Sequence, residues 1–241
     1  MAPPSTLDRS LEMDAPFAIG ESSVRWIVDL ARQIDARRIL EFGSGRSTAR
    51  LAMELPNVEI TSVEHEPVYA DQTEQILTEL GVAGRVTLIR SRVGWWRHAG
   101  RIFYTYVAPV PQAAYDLVLI DGPPGYLHTG RQGALHKVFE MLPIGARVVL
   151  DDFNEPREQR ALRRWLRDYP DAFTWRAIDL GHKLLLLEKT ANRPIGPATS
   201  SILTNNLLDN GRSIARRCSH NAARLARALV AARPTPPAPL H

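Results

Sequence analysis

The sequence predicts an α/β domain: a mostly parallel sheet of seven strands with helices on both faces, closed at its C-terminal end by an antiparallel hairpin. Three observations carry this. Apolar strand-like runs alternate with amphipathic stretches between residues 38 and 167, the rhythm of parallel strands linked by crossover helices. The first run, Arg38 to Phe42, breaks at once into Gly43-Ser44-Gly45 before a further helical stretch. The last two runs, Phe173 to Ile178 and Lys183 to Glu188, are joined only by Asp179-Leu180-Gly181-His182. That gap is too short for a crossover, so the pair must run antiparallel.

The elements follow in order. Residues 1 to 16, rich in Pro and Ser, read as a flexible N-terminus. Glu21 to Ile34 reads as a helix capped by Ser22 or Ser23, with Val24, Ile27, Val28, Leu30 and Ala31 on one face. Helices are expected over Ser47 to Glu54, Val68 to Leu80, Arg131 to Leu142 and Glu155 to Arg167. Strands are expected over Val58 to Glu64, Val86 to Arg90, Tyr115 to Asp121 and Gly145 to Leu150. The main domain spans 17–190. Within it, residues 93–114, with Trp95, Trp96, Phe103, Tyr104 and Tyr106, read as a hairpin-like insertion near the ligand edge. Residues 191–241 form an appendix of linker, helix (Asn205 to Ala232) and Pro-rich tail. In that helix Leu207, Gly211, Ile214, Cys218, Ala222, Leu225 and Leu229 recur at three- and four-residue steps, with arginines mostly off the stripe. Such a helix packs on the domain or pairs in a homodimer; weak contact with a membrane surface through 205–233 is the lesser alternative.

Composition narrows the class. Hydrophobic residues make up 44% and charged residues 23%, ordinary values for a soluble globular chain. No stretch approaches the roughly 18 apolar residues that span a bilayer. The net charge is +4, nearly all of it arginine and spread along the chain, so no nucleic-acid partner is expected. The single cysteine, Cys218, excludes internal disulfides and cysteine-built zinc sites. The N-terminus lacks the charged-then-apolar order of a secretory signal, and a cytoplasmic location is the expectation.

The glycine loop points to a ligand. Glycines let backbone approach a nucleotide-like group, and the following helix offers free N–H groups. An acid about 20 residues on can accept hydrogen bonds from a ribose diol. Glu64 stands 21 positions after Gly43, at the end of the second strand, with Glu66 as the fallback. A dinucleotide-binding loop would carry a third glycine at position 48, where Thr48 stands. Glu41-Phe42-Gly43-Ser44-Gly45-Arg46-Ser47-Thr48 resembles instead the first motif of the class I S-adenosylmethionine-dependent methyltransferases. The resemblance covers about residues 20 to 190, closing hairpin included, and implies a Rossmann-like fold with S-adenosyl-L-methionine as cofactor. It implies that Glu41 contacts the amino-acid end of that cofactor, directly or through water. It also implies that the loop of Gly43, Ser44 and Gly45, with Ser47 and Thr48, underlies the ribose and methionine portion, that Glu64 holds the ribose hydroxyls, and that Ser91, in Arg90-Ser91-Arg92, lies near the adenine.

Two acidic points fall at the carboxyl ends of the fourth and fifth strands, where open α/β sheets bind ligands: Asp121, and the pair Asp151-Asp152. Three converging carboxylates repel unless something positive lies between them, and a hard divalent cation is the usual solution. The pattern resembles the catechol-type metal-dependent O-methyltransferases, in which an Asp and an Asp-Asn pair hold the metal. Asp121, Asp151 and Asp152 fall on those positions, with Asp152 replacing the Asn. By this resemblance they bind Mg2+ or another divalent cation, and Asp121 also lies beside the cofactor and the reacting groups. Those enzymes carry a lysine base three residues after the first Asp; here that position is Pro124. His128, nearby in sequence, is the candidate base, with a task-free loop histidine as the alternative. The stiff loop Gly122-Pro123-Pro124-Gly125 and Tyr126 are expected to wall the acceptor pocket.

The function these readings imply is O-methylation of a small hydroxylated molecule or sugar. The alternatives are a non-catalytic cofactor-binding or scaffold protein of the same fold and, less well supported, a nicotinamide-nucleotide oxidoreductase. A DNA amino-methylase fits poorly: Asp121-Gly122-Pro123-Pro124-Gly125 carries an inserted glycine and lacks an aromatic residue directly after the prolines.

Overall fold

The structure is a computed structural model that describes residues 19–124, 127, 130–198 and scattered positions between 208 and 223. A seven-stranded sheet forms its centre, in the order β3-β2-β1-β6-β7-β9-β8. The parallel strands are β1 (Arg38–Phe42), β2 (Glu59–Glu64), β3 (Val86–Arg90), β6 (Leu117–Ile120) and β7 (Arg147–Leu150). The closing hairpin is β8 (Phe173–Asp179) and β9 (Lys183–Lys189), with β9 antiparallel to both β7 and β8. The helices are α1 (Glu21–Gln33), α2 (Arg46–Glu54), α3 (Pro67–Glu79), α4 (Gly130–Val138) and α5 (Pro156–Asp168).

Strand alternation explains why the central strands are apolar throughout. Leu40 and Phe42 of β1, Val118 and Ile120 of β6, and Val148 and Leu150 of β7 enter one core, with Leu135 of α4 and Trp165 of α5. Ile39, Leu117, Leu119 and Val149, their neighbours along the same strands, enter a second core with Ile27 and Val28 of α1 and Leu51 of α2. Each face is covered by helices, so neither set of side chains meets water. A buried Leu or Ile contributes about 1.5–3 kcal/mol here.

Within residues 93–114, β4 (Val93–His98) and β5 (Arg101–Tyr106) form a separate antiparallel ribbon beside the main sheet, and 107–114 lead back to it without regular structure. Helix α4 lies against β5 at Gly133, where a Cβ would crowd Thr105 and Phe103. A buried polar group fixes this ribbon. Arg101 donates to Gly196 O at 2.8 Å and pairs with Asp168 at 3.2 Å. Asp168 also meets His136 Nε2 of α4 at 3.1 Å.

Two local expectations are corrected. The N-cap of α1 is Gly20, not Ser22 or Ser23; Ser23 is buried inside the first turn and Ser22 Oγ donates to Leu180 O across the fold. Helix α4 stops at Val138 and continues as a 3-10 turn over Phe139–Met141. Pro143 disfavours helical geometry at the residue before it, and Phe139 turns inward to stack on Tyr169 with ring centroids 3.9 Å apart. The N-cap of α5 is Glu155, without a side-chain cap.

The expected flexible N-terminus, 1–16, lies outside the described residues, as does most of the C-terminal stripe. Positions 208, 211, 212, 215, 218, 219 and 221–223 are helical, and Gly211, Cys218 and Ala222 of that stripe are exposed. Among the described residues no helix is long and apolar enough to cross a membrane.

Candidate active site

The carboxyl ends of β1, β2, β6 and β7 are tied into one edge. Gly43 N–H donates to Val63 O at 2.9 Å, and Asp121 N–H and Gly122 N–H both donate to Phe42 O, at 2.9 and 2.6 Å. Asp151 N–H donates to Ile120 O at 3.1 Å. The predicted glycine loop, ribose acid and acid trio therefore share this edge. A shallow groove lined by Arg38, Asn57 and Glu59 opens at the opposite edge, away from them.

Gly43 has a φ of 101°, and a Cβ there would lie 3.1 Å from Gly122 N. Only glycine meets both demands. The peptide before Pro123 is cis. Gly45 faces open space: a Cβ built on it meets nothing within 4 Å. The loop thus presents bare backbone, followed by the N-terminus of α2, to whatever lies above it.

Glu64 is held by this loop. Its Oε2 accepts Ser44 N–H at 2.9 Å, and its Oε1 accepts the N–H groups of His65 and Glu66 at 2.6 and 2.8 Å. Burial alone would raise its pKa, but the His65 imidazole, 2.9 Å from Oε1, and then the Glu66 and Ser44 N–H groups outweigh it and hold the carboxyl below its ordinary value. Ser91 N–H donates to Glu64 O at 2.7 Å, and Ser91 Oγ accepts Ala108 N–H at 3.0 Å. The expected adenine-side residue therefore sits beside the expected ribose acid.

Glu41 lies under the glycine loop. It is fully buried, and both carboxyl oxygens are taken: Oε1 by Ser47 Oγ at 2.6 Å, Oε2 by Thr48 Oγ1 at 2.5 Å and Ser62 Oγ at 2.9 Å. In this arrangement it ties β1, β2 and α2 together under the glycine loop rather than reaching over the loop. Burial pushes its pKa up to about 7 despite the three hydroxyls.

The acid trio also converges, but around a residue the sequence reading passed over. Arg131, in the first turn of α4, is 6% exposed at its side chain. Its Nη2 donates to Asp121 O at 2.6 Å and lies 3.2 Å from Asp121 Oδ1. Its Nη1 donates to Asp151 O at 3.2 Å and lies 3.0 Å from Asp152 Oδ2 and 3.8 Å from Glu158 Oε1. Its Nε donates to Pro123 O at 3.4 Å. Burial pushes Asp121 well up; Arg131 opposes this and Asp151, hydrogen-bonded to it, adds to it. Burial likewise pushes Glu158 up to about 7. The predicted divalent cation does not fit between Asp121 and Asp152. Such an ion binds oxygen at roughly 2.0–2.6 Å, and the guanidinium fills the space between them. Arg131 thus places a positive charge between Asp121 and Asp152.

His182 was also missed. Its Nε2 lies 2.9 Å from Asp151 Oδ1 and 3.4 Å from Asp152 Oδ1, with the side chain 35% exposed. The turn between β8 and β9 brings it there, because β9 runs antiparallel to β7 and so begins at β7's carboxyl end. Tyr106, from the ribbon, stacks on Phe42 and is buried against Gly122. Its hydroxyl has no hydrogen-bond partner among the described residues. The expected base His128, together with Gly125 and Tyr126, lies outside the described residues.

A family model described as a methyltransferase domain matches residues 40–153, from the first strand through Asp152. Over that segment the chain is similar to methyltransferase domains, in line with the resemblance read from Glu41 to Thr48. Solved methyltransferase structures share the fold. The O-methyltransferase TomG from Streptomyces achromogenes, of tomaymycin synthesis and in complex with SAM, aligns with a TM-score of 0.58 and 22% identity over 79% of this chain and 92% of its own. An O-methyltransferase from Bacillus cereus in complex with SAH aligns with a TM-score of 0.60 and 16% identity over 79% of this chain and 93% of its own. A search of curated protein sequences gives no match.

Glu64→Ala removes an ionised acceptor and also frees Ser44 N–H. The expected result is a loss of about 1–3 kcal/mol in S-adenosylhomocysteine affinity. Calorimetric titration checks it; an unchanged affinity places the ribose elsewhere.

Proposed function

We propose that this chain methylates an oxygen of a small hydroxylated molecule or sugar, with S-adenosylmethionine as donor. One juxtaposition carries the reading: the Glu64-braced glycine loop shares its edge with the Asp121, Asp151 and His182 cluster through Gly43 and Gly122. Two similar solved structures, both of O-methyltransferases, carry SAM or SAH, which supports the same donor and acceptor atom here. Gly43, Ser44 and Gly45 would underlie the donor, and Glu64 would accept its ribose hydroxyls. When bound, the donor supplies an electrophilic methyl group.

The protein's own part is positioning and proton removal. As the acceptor oxygen bonds to the methyl carbon, the carbon–sulfur bond breaks and the hydroxyl proton must leave. His182 is placed to take that proton: an imidazole with an exposed edge, oriented by the buried Asp151 carboxylate. We assign residues 17–190 to the catalytic domain and 191–241 to an appendix that packs on it or self-associates, with membrane contact the lesser reading.

The test is methyl transfer from labelled S-adenosylmethionine to a panel of phenols, catechols and sugars. His182→Gln is expected to lower kcat by about 10²-fold or more while S-adenosylhomocysteine affinity stays within twofold. An unchanged kcat removes His182 from the reaction, and a folded protein inert across the panel contradicts the assigned acceptor class.

A further inference from the structure

We infer that Arg131 occupies the place that a divalent cation takes in the enzymes this acid pattern resembles, and that the acceptor site works without a metal. The inference rests on the reading above for where the acceptor lies, but its binding test does not.

Five acceptor groups define the position of Arg131. Asp121 O and Asp151 O are the main-chain ends of β6 and β7, and Pro123 O follows the first of them. The Asp121 and Asp152 carboxylates complete the set at 3.2 and 3.0 Å. These are two of the three acids that would have to close on a shared ion, Asp151 being the third. A divalent cation between them would have to expel the guanidinium. Its contacts with three main-chain carbonyls would then be lost in a site with little water to replace them, which is costly for a buried polar network. Arginine suits the place because its planar, forked donors reach several oxygens at once and it keeps its charge when buried.

Its location in the helix reinforces this. Arg131 lies in the first turn of α4, where the helix dipole disfavours a cation. The surrounding carboxylates and carbonyls provide the compensating interaction. Asp151, Asp152 and His182 form the one group of three metal-capable side chains among the described residues whose donor atoms lie within 4.8 Å of one another. That group leaves out Asp121, and its His182 Nε2 lies 2.9 Å from Asp151 Oδ1, already paired with that carboxylate.

The test follows free Mn2+ by electron paramagnetic resonance as it is added to chelator-treated full-length protein. Wild type is expected to bind no Mn2+ below millimolar concentration. Arg131→Met is expected to gain one site at least tenfold tighter, and adding Asp152→Asn is expected to remove it. Stoichiometric micromolar binding by wild type that Asp152→Asn or His182→Gln abolishes overturns the inference. So does a folded Arg131→Met protein that gains no site. If Arg131→Met does not fold, wild type decides: methyl transfer unchanged in excess chelator supports the inference, and a tenfold loss restored by Mg2+ overturns it. Failure to find an acceptor leaves the Mn2+ result intact, so the two readings fail separately.

Discussion

Gly122→Ala is expected to reduce S-adenosylhomocysteine affinity at least tenfold and to destabilise the protein by about 1–3 kcal/mol, the usual cost of forcing a carbon into a filled core. A Cβ at this position would overlap the Tyr106 hydroxyl and lie 3.1 Å from both N and Cα of Gly43. Gly122 is pinned from the other side, since its N–H donates to Phe42 O at 2.6 Å. The strain therefore passes to the glycine loop, whose geometry sets the cofactor cradle. The double variant Gly122→Ala/Tyr106→Phe removes the hydroxyl from the overlap, and part of the stability should return. A double-mutant cycle measured by urea unfolding checks this. Strict additivity would mean that the two residues do not press on each other.

Asp168→Ala has the larger expected effect on stability, a loss of about 3–5 kcal/mol, as when one member of a buried ion pair is removed. Asp168 is 1% exposed, and its carboxylate serves both Arg101, also 1% exposed, and His136. Without it a buried guanidinium keeps, among the described residues, only main-chain acceptors, Ala99 O and Gly196 O. The ribbon β4–β5 and the segment after β9 should loosen together. Burial would raise the Asp168 pKa, but His136, Arg101 and Arg167 outweigh it and hold the carboxyl below its ordinary value. Its contribution to stability is then fully present above the unfolded carboxyl's value, about 4, and is lost as pH falls through the lower folded value. Wild type should lose stability in that acid range, and Asp168→Ala should lose less. Unfolding curves at several pH values check this, and parallel pH profiles would contradict it.

The sheet was legible because its strands are apolar on both faces and its helices are amphipathic, and both signals are local in sequence. The same holds for the glycine loop and Glu64, whose spacing encodes a strand–loop–helix unit. The closing hairpin followed from the length of a four-residue gap. The centre of the acidic site was less legible. Three acids at strand ends called for a positive charge, and the sequence reading supplied a metal; the fold supplies Arg131. One signal was available: an arginine at the start of a helix, against the dipole, calls for a compensating anion. His182 was hidden because its neighbourhood depends on the antiparallel return of β9 beside β7, a contact between residues about 30 positions apart. Glu41 was placed correctly at the end of β1, but its burial under Ser47, Thr48 and Ser62 depends on which way alternate side chains of that strand face.

The measurement that tests the central claim most directly is calorimetric titration of S-adenosylhomocysteine into purified, chelator-treated protein. One site per chain with micromolar affinity is the predicted result, weakened by Glu64→Ala and indifferent to added Mg2+. Absence of binding to a protein shown by circular dichroism to be folded would contradict the account.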